Sequence, residues 1–579
     1  MMGAMTLLLP LLIACGGVSV GPGDGTGTLP ATTDTAVTDT ELPTSDTYGA
    51  GIYDIDRLLQ VDVTLDPDDW ESLRYQARDF LDMLSGDECL AEPFESPYTW
   101  FPATVTIDGT TLDNVAVRKK GLLGSVEPGR PSLKLSFDKY EPDQRFEDVE
   151  RLTLNNSRQD GSRIKTCLGY QLYADAGLPA SRCSYARVIV NGEDLGVYVN
   201  VEPVKKDMLR RVFGNDDGNL YEGTLSDFLE GWNGSFEDKT ELSDRADLAA
   251  ATDALAVTGE GFVDAVEAVF DLDEFFRYWA LEALIGHWDS YTGNRNNFFV
   301  YGDPDADGRF RFLPWGIDAI LEGDEPFGQG RPVSVTGEAT LPSRLLGHPE
   351  LVDRYEAALR SLLDEVWHED TLLARIDHAE ALTGAYAWPN HDDGGWYDDT
   401  LDRIRDFVRD RRDAVEDEWA GEAPDAALPD PGDVCLDVIG TIDLPFETTQ
   451  GSYGTQDTWS HGTSTWNFEL DGEDVEVEVL GNVVGEYDGI GYFIFSGKLD
   501  VDYNVAVYGY TTRPELLEQP GTIPLDWSSG IAYLIVDADG NFDGWEVGAY
   551  LGGSLTLTEA SPNRDSAWVG SFQLDVYGQ

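Results

Sequence analysis

Basic residues are scarce in this chain. Its 579 residues include 39 Lys and Arg against 108 Asp and Glu, which gives a formal net charge of −69. A surface of this kind repels polyanions, so nucleic acid and anionic membrane surfaces are excluded as partners. A nucleotide could bind only where local Lys and Arg and a divalent cation overcome the acidic field.

Histidine and cysteine are also rare. The six histidines include no H-E-x-x-H arrangement, which argues against a zinc hydrolase. The five cysteines have no zinc-site spacing. Without Cys15, an even set remains: Cys89, Cys167, Cys183 and Cys435. An even number in an exported chain predicts two disulfides, and three pairings are possible.

Apolar runs long enough to span a bilayer are lacking. Residues 7–14 form a short apolar segment, and Cys15 follows the small residue Ala14. This pattern resembles a lipobox, so residues 1–15 are predicted to be a lipoprotein signal peptide with Cys15 lipidated. No basic residue precedes Arg57, which departs from that pattern, and an ordinary secretory signal is the alternative. We expect an exported bacterial protein of the cell envelope or surface that contacts the membrane only through its lipid.

The rest of the chain divides by composition and pattern. Residues 16–50, rich in Gly, Thr, Asp and Pro, form a predicted disordered tether. Residues 51–425 combine a strand-rich half (51–230) with a helical half (231–425), which predicts an α+β domain. Residues 426–435 form a linker, and 436–579 alternate polar and apolar residues between Gly and Asp turns. The C-terminal domain is therefore predicted to be all-β and sandwich-like.

The pair Asp289 and Asn294 carries the main chemical signal. Their separation is that of the D-x-x-x-x-N catalytic loop of protein kinases, in which Asp accepts the substrate hydroxyl proton and Asn holds a magnesium ion. Asp318 follows after one predicted hairpin and is the candidate second metal ligand. The simpler alternative is a helix end followed by an Asx-rich turn.

Basic residues in the strand-rich half are candidates for binding phosphates. Arg118 and Lys120 end one predicted strand, and Lys134 lies in the next, between leucines that point to the opposite face. Glu202 is the predicted carboxylate that orients Lys134. The alternatives are an ordinary strand lysine with its charged end in solvent and an acidic residue at a helix N-terminus.

Several short segments of residues 51–425, taken together, resemble the spore-coat protein H (CotH) kinase family. They are residues 53–55, 117–121, 131–137, 154–156, 191–198, 201–203, 218–221 and 289–318. The resemblance implies an atypical two-lobed kinase-like fold, ATP with Mg²⁺ or Mn²⁺, and phosphorylation of Ser or Thr in coat or other extracellular proteins. It implies a catalytic role for Asp289 and metal binding by Asp318. The family often has the motif P-W-D-x-D at residues 314–318. In this chain Gly316 stands in place of the first Asp of that motif.

Three functions are compatible with these features. The first is an exported, lipid-anchored protein kinase that uses Asp289, Lys134 and Glu202 in catalysis. The second is a surface adhesin or scaffold whose kinase-like domain has lost catalysis, which is consistent with Gly316 and with the appended β domain. The third is a polysaccharide-binding surface protein that uses some of the 15 Trp and 25 Tyr.

Overall fold

The computed structural model describes most of the chain in two compact units. The described residues are 48–86, 88–122, 127–240, 243–322, 332–387, 396–421, 423–424, 434–451, 462–487, 490–499, 503–511, 513–526, 529–537 and 546–578. The predicted signal peptide with Cys15, nearly all of the tether and most of the linker lie outside them.

The larger unit contains a closed β-barrel. It extends to Arg74 and resumes over Leu90–Pro431. Its strands are β1 (Leu58–Leu65), β2 (Phe101–Ile107), β3 (Thr110–Lys119), β4 (Leu133–Ser136), β5 (Arg151–Asn155), β6 (Cys183–Val190) and β7 (Glu193–Val201). They close in the order β1-β2-β3-β4-β5-β7-β6, with β1 and β6 parallel. Alternate apolar side chains fill the interior of the barrel.

A second sheet and several helices complete the larger unit. The sheet has the order β11-β10-β8-β9 and comprises β8 (Leu220–Gly223), β9 (Glu237–Asp238), β10 (Phe298–Asp303) and β11 (Arg309–Pro314). The helices in chain order are α1 (Pro67–Arg74), α2 (Phe80–Met83), α3 (Lys165–Asp175), α4 (Lys206–Phe213), α5 (Ala246–Ala256), α6 (Phe262–Glu267), α7 (Leu272–Leu284), α8 (Tyr291–Asn294), α9 (Thr340–Leu346), α10 (Pro349–Glu365), α11 (Glu369–Thr383) and α12 (Trp396–Glu418). All but α2 belong to this unit. Among the described helices, none has the length and apolar character needed to cross a bilayer.

Helix α7 positions the loop that carries Asp289. Asp271 caps its N-terminus by accepting from the Glu274 N–H. Two acidic residues in the first turn stabilise the helix by their favourable interaction with its dipole. Its apolar side chains are buried, and Trp279 packs against Tyr355 of α10 with ring centroids 4.1 Å apart. The helical pattern predicted before His287 is therefore confirmed, and the loop follows a helix that is packed into the core.

The smaller unit is built on one continuous antiparallel sheet. Its strands are β12 (Asp437–Thr449), β13 (Thr463–Ser464), β14 (Asn467–Leu470), β15 (Glu473–Val475), β16 (Glu478–Tyr487), β17 (Ile490–Lys498), β18 (Asn504–Thr511), β19 (Gly521–Leu525), β20 (Ile531–Asp537), β21 (Glu546–Glu559) and β22 (Ala567–Gly578). The main order is β15-β14-β12-β22-β21-β20-β18-β17-β16. Phe446 of β12 and Phe495 of β17 are 4.8 Å apart although their strands are not neighbours. The sheet therefore curls around its own core, whereas a sandwich would have two separate sheets.

Residues 75–89, which carry α2, belong to the smaller unit. The sequence analysis had placed them in the first domain. A disulfide between Cys89 and Cys435 and a 2.6 Å hydrogen bond from the Leu436 N–H to the Leu84 carbonyl attach this segment to the smaller unit. Such long-range contacts leave no local pattern in the sequence. The second disulfide joins Cys167 of α3 to Cys183 of β6, so one of the three possible pairings is selected.

Candidate functional site

A cavity of about 330 Å³ in the larger unit is rich in positive charge. It is lined by residues of β3, β4 and β5 on one side and by Phe299 and Trp315 on another. Its cationic lining residues are Arg118, Lys134, Lys139, Arg151 and Lys205. Among the described lining residues, Asp138 is the single carboxylate. This concentration of cations contrasts with the acidic chain as a whole and suits an anionic ligand.

Strand register brings the predicted cations together. Arg118, Lys134 and Thr153 are direct neighbours across β3, β4 and β5. Leu133 and Leu135 point into the barrel core, so the predicted alternation around Lys134 is confirmed. Burial, followed by the charge of Arg118, lowers the pKa of Lys134 well below its usual value. A bound anion would relieve this crowding of like charges.

Lys120 is influenced by the charges of two carboxylates. Its ammonium group donates to the side-chain oxygen of Asn155 and lies 5.9 Å from the centre of the Trp315 ring. Burial lowers the pKa of Lys120 to about 7, while the charges of Asp318 and Glu222 act in the opposite direction. The structure therefore brings the predicted Lys120 and Asp318 into one electrostatic environment.

The predicted pairing of Glu202 with Lys134 is wrong. Glu202 is buried, accepts from Arg182 at 2.8 Å and forms a second ion pair with Arg211. Two guanidinium groups satisfy this carboxylate, and the charges that act most strongly on Lys134 do not include that of Glu202. The acidic partner that acts on both Lys134 and Lys120 is Glu222 of β8, which also lies 2.6 Å from the Lys239 ammonium. Glu222 directly follows the family-like segment 218–221, a signal that could have identified it.

Asp289 is enclosed by asparagine amides. Its Oδ1 accepts from Asn294 Nδ2 at 2.7 Å and from Asn296 Nδ2 at 3.1 Å, and its Oδ2 accepts from Asn297 Nδ2 at 2.7 Å. Ser290 caps the short helix α8 by accepting from the Gly293 N–H. The predicted pair Asp289 and Asn294 is therefore in direct contact, and Asn296 and Asn297 complete its surroundings.

The oxygens of these three amides are buried and, within the described structure, have no hydrogen-bond partner. Asp318 Oδ1 is also buried and, within the described structure, has no hydrogen-bond partner. Burial raises the pKa of Asp318 to about 6. Mg²⁺ and Mn²⁺ prefer oxygen ligands, and amide and carboxylate oxygens are of this kind. These side chains therefore fit such an ion. In the part of the chain that the structure describes, no group of three or more His, Cys, Asp and Glu could hold a metal.

The segments that carry Asp289 and Asp318 are in contact. The Trp315 N–H donates to the Asn297 carbonyl at 3.0 Å, and a Cβ at Gly316 would collide with Asn297 Oδ1. Asp318 follows two residues later and is influenced by the charges of Asp160, Lys120 and Lys165. That Asp289 and Asp318 act on the same cations remains a prediction.

A buried glutamate that the sequence analysis missed supports the loop. Glu282 of α7 accepts from the Thr292 N–H at 3.2 Å and from the Thr292 hydroxyl at 2.6 Å. Burial raises the pKa of Glu282 to about 7. This contact fixes the loop between Asp289 and Asn294 to its supporting helix. A Glu among the apolar residues of α7 was the available signal.

Comparison with known proteins identifies the family. The model of the CotH kinase protein family matches residues 117–415, more than half of the chain. Inner spore coat protein H of Bacillus subtilis (strain 168) is 22% identical over 313 residues, which cover 50% of this chain and 83% of that protein. Two proteins of Rhizopus delemar (strain RA 99-880) also match. Invasin CotH7 is 23% identical over 36% of this chain and 39% of its own length. Spore coat protein homolog 1 is 25% identical over 43% and 45%. The chain belongs to the CotH kinase family.

Proposed function

We propose that this protein is an exported atypical protein kinase that transfers the γ-phosphate of ATP to Ser or Thr of surface or coat proteins. The observation that carries the proposal is the crowding of Arg118, Lys120 and Lys134, with Asp318 acting on Lys120, in a chain of net charge −69. Buried like charges are costly unless an anion neutralises them. In this proposal the barrel and the helical part of the larger unit act as the two lobes of a kinase-like fold.

The charged and amide side chains of the candidate site have separate roles in the proposed reaction. Arg118, Lys120 and Lys134 neutralise phosphate charge, and Glu222 orients the lysines in the place first given to Glu202. Asp289 accepts a hydrogen bond from the substrate hydroxyl and takes its proton. Asn294 and Asp318 would hold Mg²⁺ or Mn²⁺, and the bound ion would neutralise phosphate charge and align the phosphates.

The proposed location is the cell surface, with a lipid on Cys15 as the anchor. Support comes from the lipobox-like residues 7–15 and from relatives whose names refer to a spore coat and to invasins. A surface location makes exposed coat or envelope proteins the available substrates.

The test is transfer of label from γ-labelled ATP by the full chain with Mg²⁺ or Mn²⁺. We expect labelling of the chain or of an added protein, and its loss in Asp318→Asn and Asp289→Asn. Asp307→Asn is the matched control, because Asp307 is exposed at a hairpin tip and its left-handed backbone suits asparagine. Equal labelling by all four proteins would contradict the assigned roles.

A catalytically inactive surface adhesin or scaffold is the second candidate. The observation that favours it is that both oxygens of the buried Asp289 carboxylate already accept from asparagine amides, which leaves fewer acceptor sites for a substrate hydroxyl. The absence of both nucleotide binding and label transfer would support this function.

A further inference from the structure

The three asparagines around Asp289 all donate to its carboxylate. Because each uses its amide nitrogen in this way, the carbonyl oxygen of each remains for another partner. The side chains of Asn294, Asn296 and Asn297 are at most 3% exposed. Their carbonyl oxygens have no hydrogen-bond donor in the described structure. Buried carbonyl oxygens normally have a partner, and three in one loop point to a bound group.

Gly316 leaves space for one of these oxygens. Its φ is +54°, in the left-handed region that favours glycine, and a Cβ there would collide with Asn297 Oδ1. Position 316 therefore contributes no side chain, and the Asn297 carbonyl occupies the adjacent space. Asp318 Oδ1, which is also buried and unsatisfied, lies two residues along the same segment.

We propose that Asn296 and Asn297 are ligands of a divalent cation, together with Asn294 and Asp318, in a site composed mainly of neutral carbonyl oxygens. This inference rests on the proposed function and extends it. Carbonyl and carboxylate oxygens are suitable for Mg²⁺, Mn²⁺ or Ca²⁺ and unsuitable for soft metals.

The composition of the site determines how the cation binds. Asp318 supplies the one carboxylate among the proposed ligands, and the charge of Asp289 is already offset by three amide donors. Two positive charges on the ion are therefore only partly balanced until phosphate oxygens join them. The cation and the nucleotide must each increase the affinity for the other by the same factor.

The first experiment measures Mn²⁺ binding to the full chain by titration calorimetry, with and without a non-hydrolysable ATP analogue. We expect the analogue to tighten Mn²⁺ binding at least about tenfold, within the usual range of coupling between two sites. Asn297→Ala and Asn296→Ala should each weaken binding by about tenfold or more. Asn219→Ala is the matched control, because Asn219 also donates to a carboxylate, that of Asp247, at 2.8 Å. Unchanged Mn²⁺ affinity in both site variants would overturn the proposal.

The second experiment does not depend on the folding of a variant. Crystals of the wild-type chain with the analogue and Mn²⁺ should give an anomalous peak at about 2.0–2.6 Å from the Asn296 and Asn297 carbonyl oxygens, the range for such ions. A peak that contacts Asp318 but neither of these oxygens, or ordered water on both of them, would overturn it. A bound ion without phosphate transfer would refute the proposed kinase function and leave the cation site intact. Phosphate transfer by a protein whose ion binds away from Asn296 and Asn297 would refute the cation site and leave the proposed kinase function intact.

Discussion

Asn297 connects Asp289 to Gly316. Its amide nitrogen donates to Asp289 at 2.7 Å, and its amide oxygen fills the space that a side chain at position 316 would need. Asn297 therefore packs the segment that carries Asp289 against the segment that carries Gly316, on either side of the β10–β11 hairpin in sequence. The glycine at this position follows from local packing and from its left-handed backbone.

Gly316→Ala should destabilise the protein through two separable effects. Gly177→Ala is the matched control, because Gly177 also has a positive φ, +70°, but its added Cβ would meet no atom within 4 Å. We expect a loss of about 1 kcal/mol in the unfolding free energy for the control, from backbone strain alone. Gly316→Ala should lose at least about 1 kcal/mol more, measured by denaturant unfolding, because Asn297 must shift. Equal losses would show that Asn297 does not fill this space.

Glu202 is expected to act on stability and not on nucleotide binding. Glu202→Gln leaves the partly exposed Arg182 and Arg211 without their carboxylate, so the unfolding free energy should fall by about 2 kcal/mol. Nucleotide affinity of the folded protein should stay within about twofold of wild type.

Glu222→Gln should instead slow label transfer more than about tenfold, because Lys120 and Lys134 lose their shared acidic neighbour. The opposite assignment of the two effects would restore the original pairing of Glu202 with Lys134.

Local patterns predicted more of the fold than long-range contacts did. Asn191-Gly192 is the usual signature of a two-residue hairpin, and both residues have positive φ between β6 and β7. The alternation around Lys134 likewise predicted that Leu133 and Leu135 lie on the face opposite to Lys134, and the structure adds that this face is the barrel core. The curl of the C-terminal sheet and the attachment of residues 75–89 depend on contacts between residues far apart in the chain. No period or turn signal encodes such contacts.

The candidate site shows the same division between local and long-range information. Asp289 and Asn294 were predicted from a five-residue spacing, and they do contact each other. Glu222 acts on Lys120 and Lys134 only because the fold brings distant parts of the chain together, and many acidic residues were equally available by sequence. Asn296 and Asn297 were visible in the sequence, but their hydrogen bonds to Asp289 depend on the folded loop.

Glu282 is expected to give the protein a measurable dependence of stability on pH. Its pKa is raised from 4.5 to about 7, so between these values the folded chain keeps a proton that the unfolded chain has released. The stability that this carboxyl contributes is therefore lost as pH rises from about 5 to above 7. Glu282→Gln cannot titrate and retains an oxygen acceptor for Thr292.

The measurement is the unfolding free energy of wild type and Glu282→Gln at several pH values. The wild-type value minus the variant value should fall by up to about 3 kcal/mol between pH 5 and pH 8, since each unit of pKa shift corresponds to about 1.4 kcal/mol. Using the difference cancels the many other carboxylates. Parallel curves would mean that Glu282 titrates normally.

Lys120 is expected to make nucleotide binding weaken with increasing pH. Its pKa is lowered to about 7 by burial, so above that pH the free protein loses a charge that phosphate binding requires. The affinity of wild type for metal-free ATP should therefore fall above pH 7, approaching tenfold per pH unit if the bound complex keeps the proton. Lys120→Arg keeps its charge over this range and should show a flatter profile between pH 7 and pH 8.5. Because Asp318 is present in both proteins, its own titration cancels in the comparison. Identical profiles for the two proteins would place Lys120 outside the phosphate site.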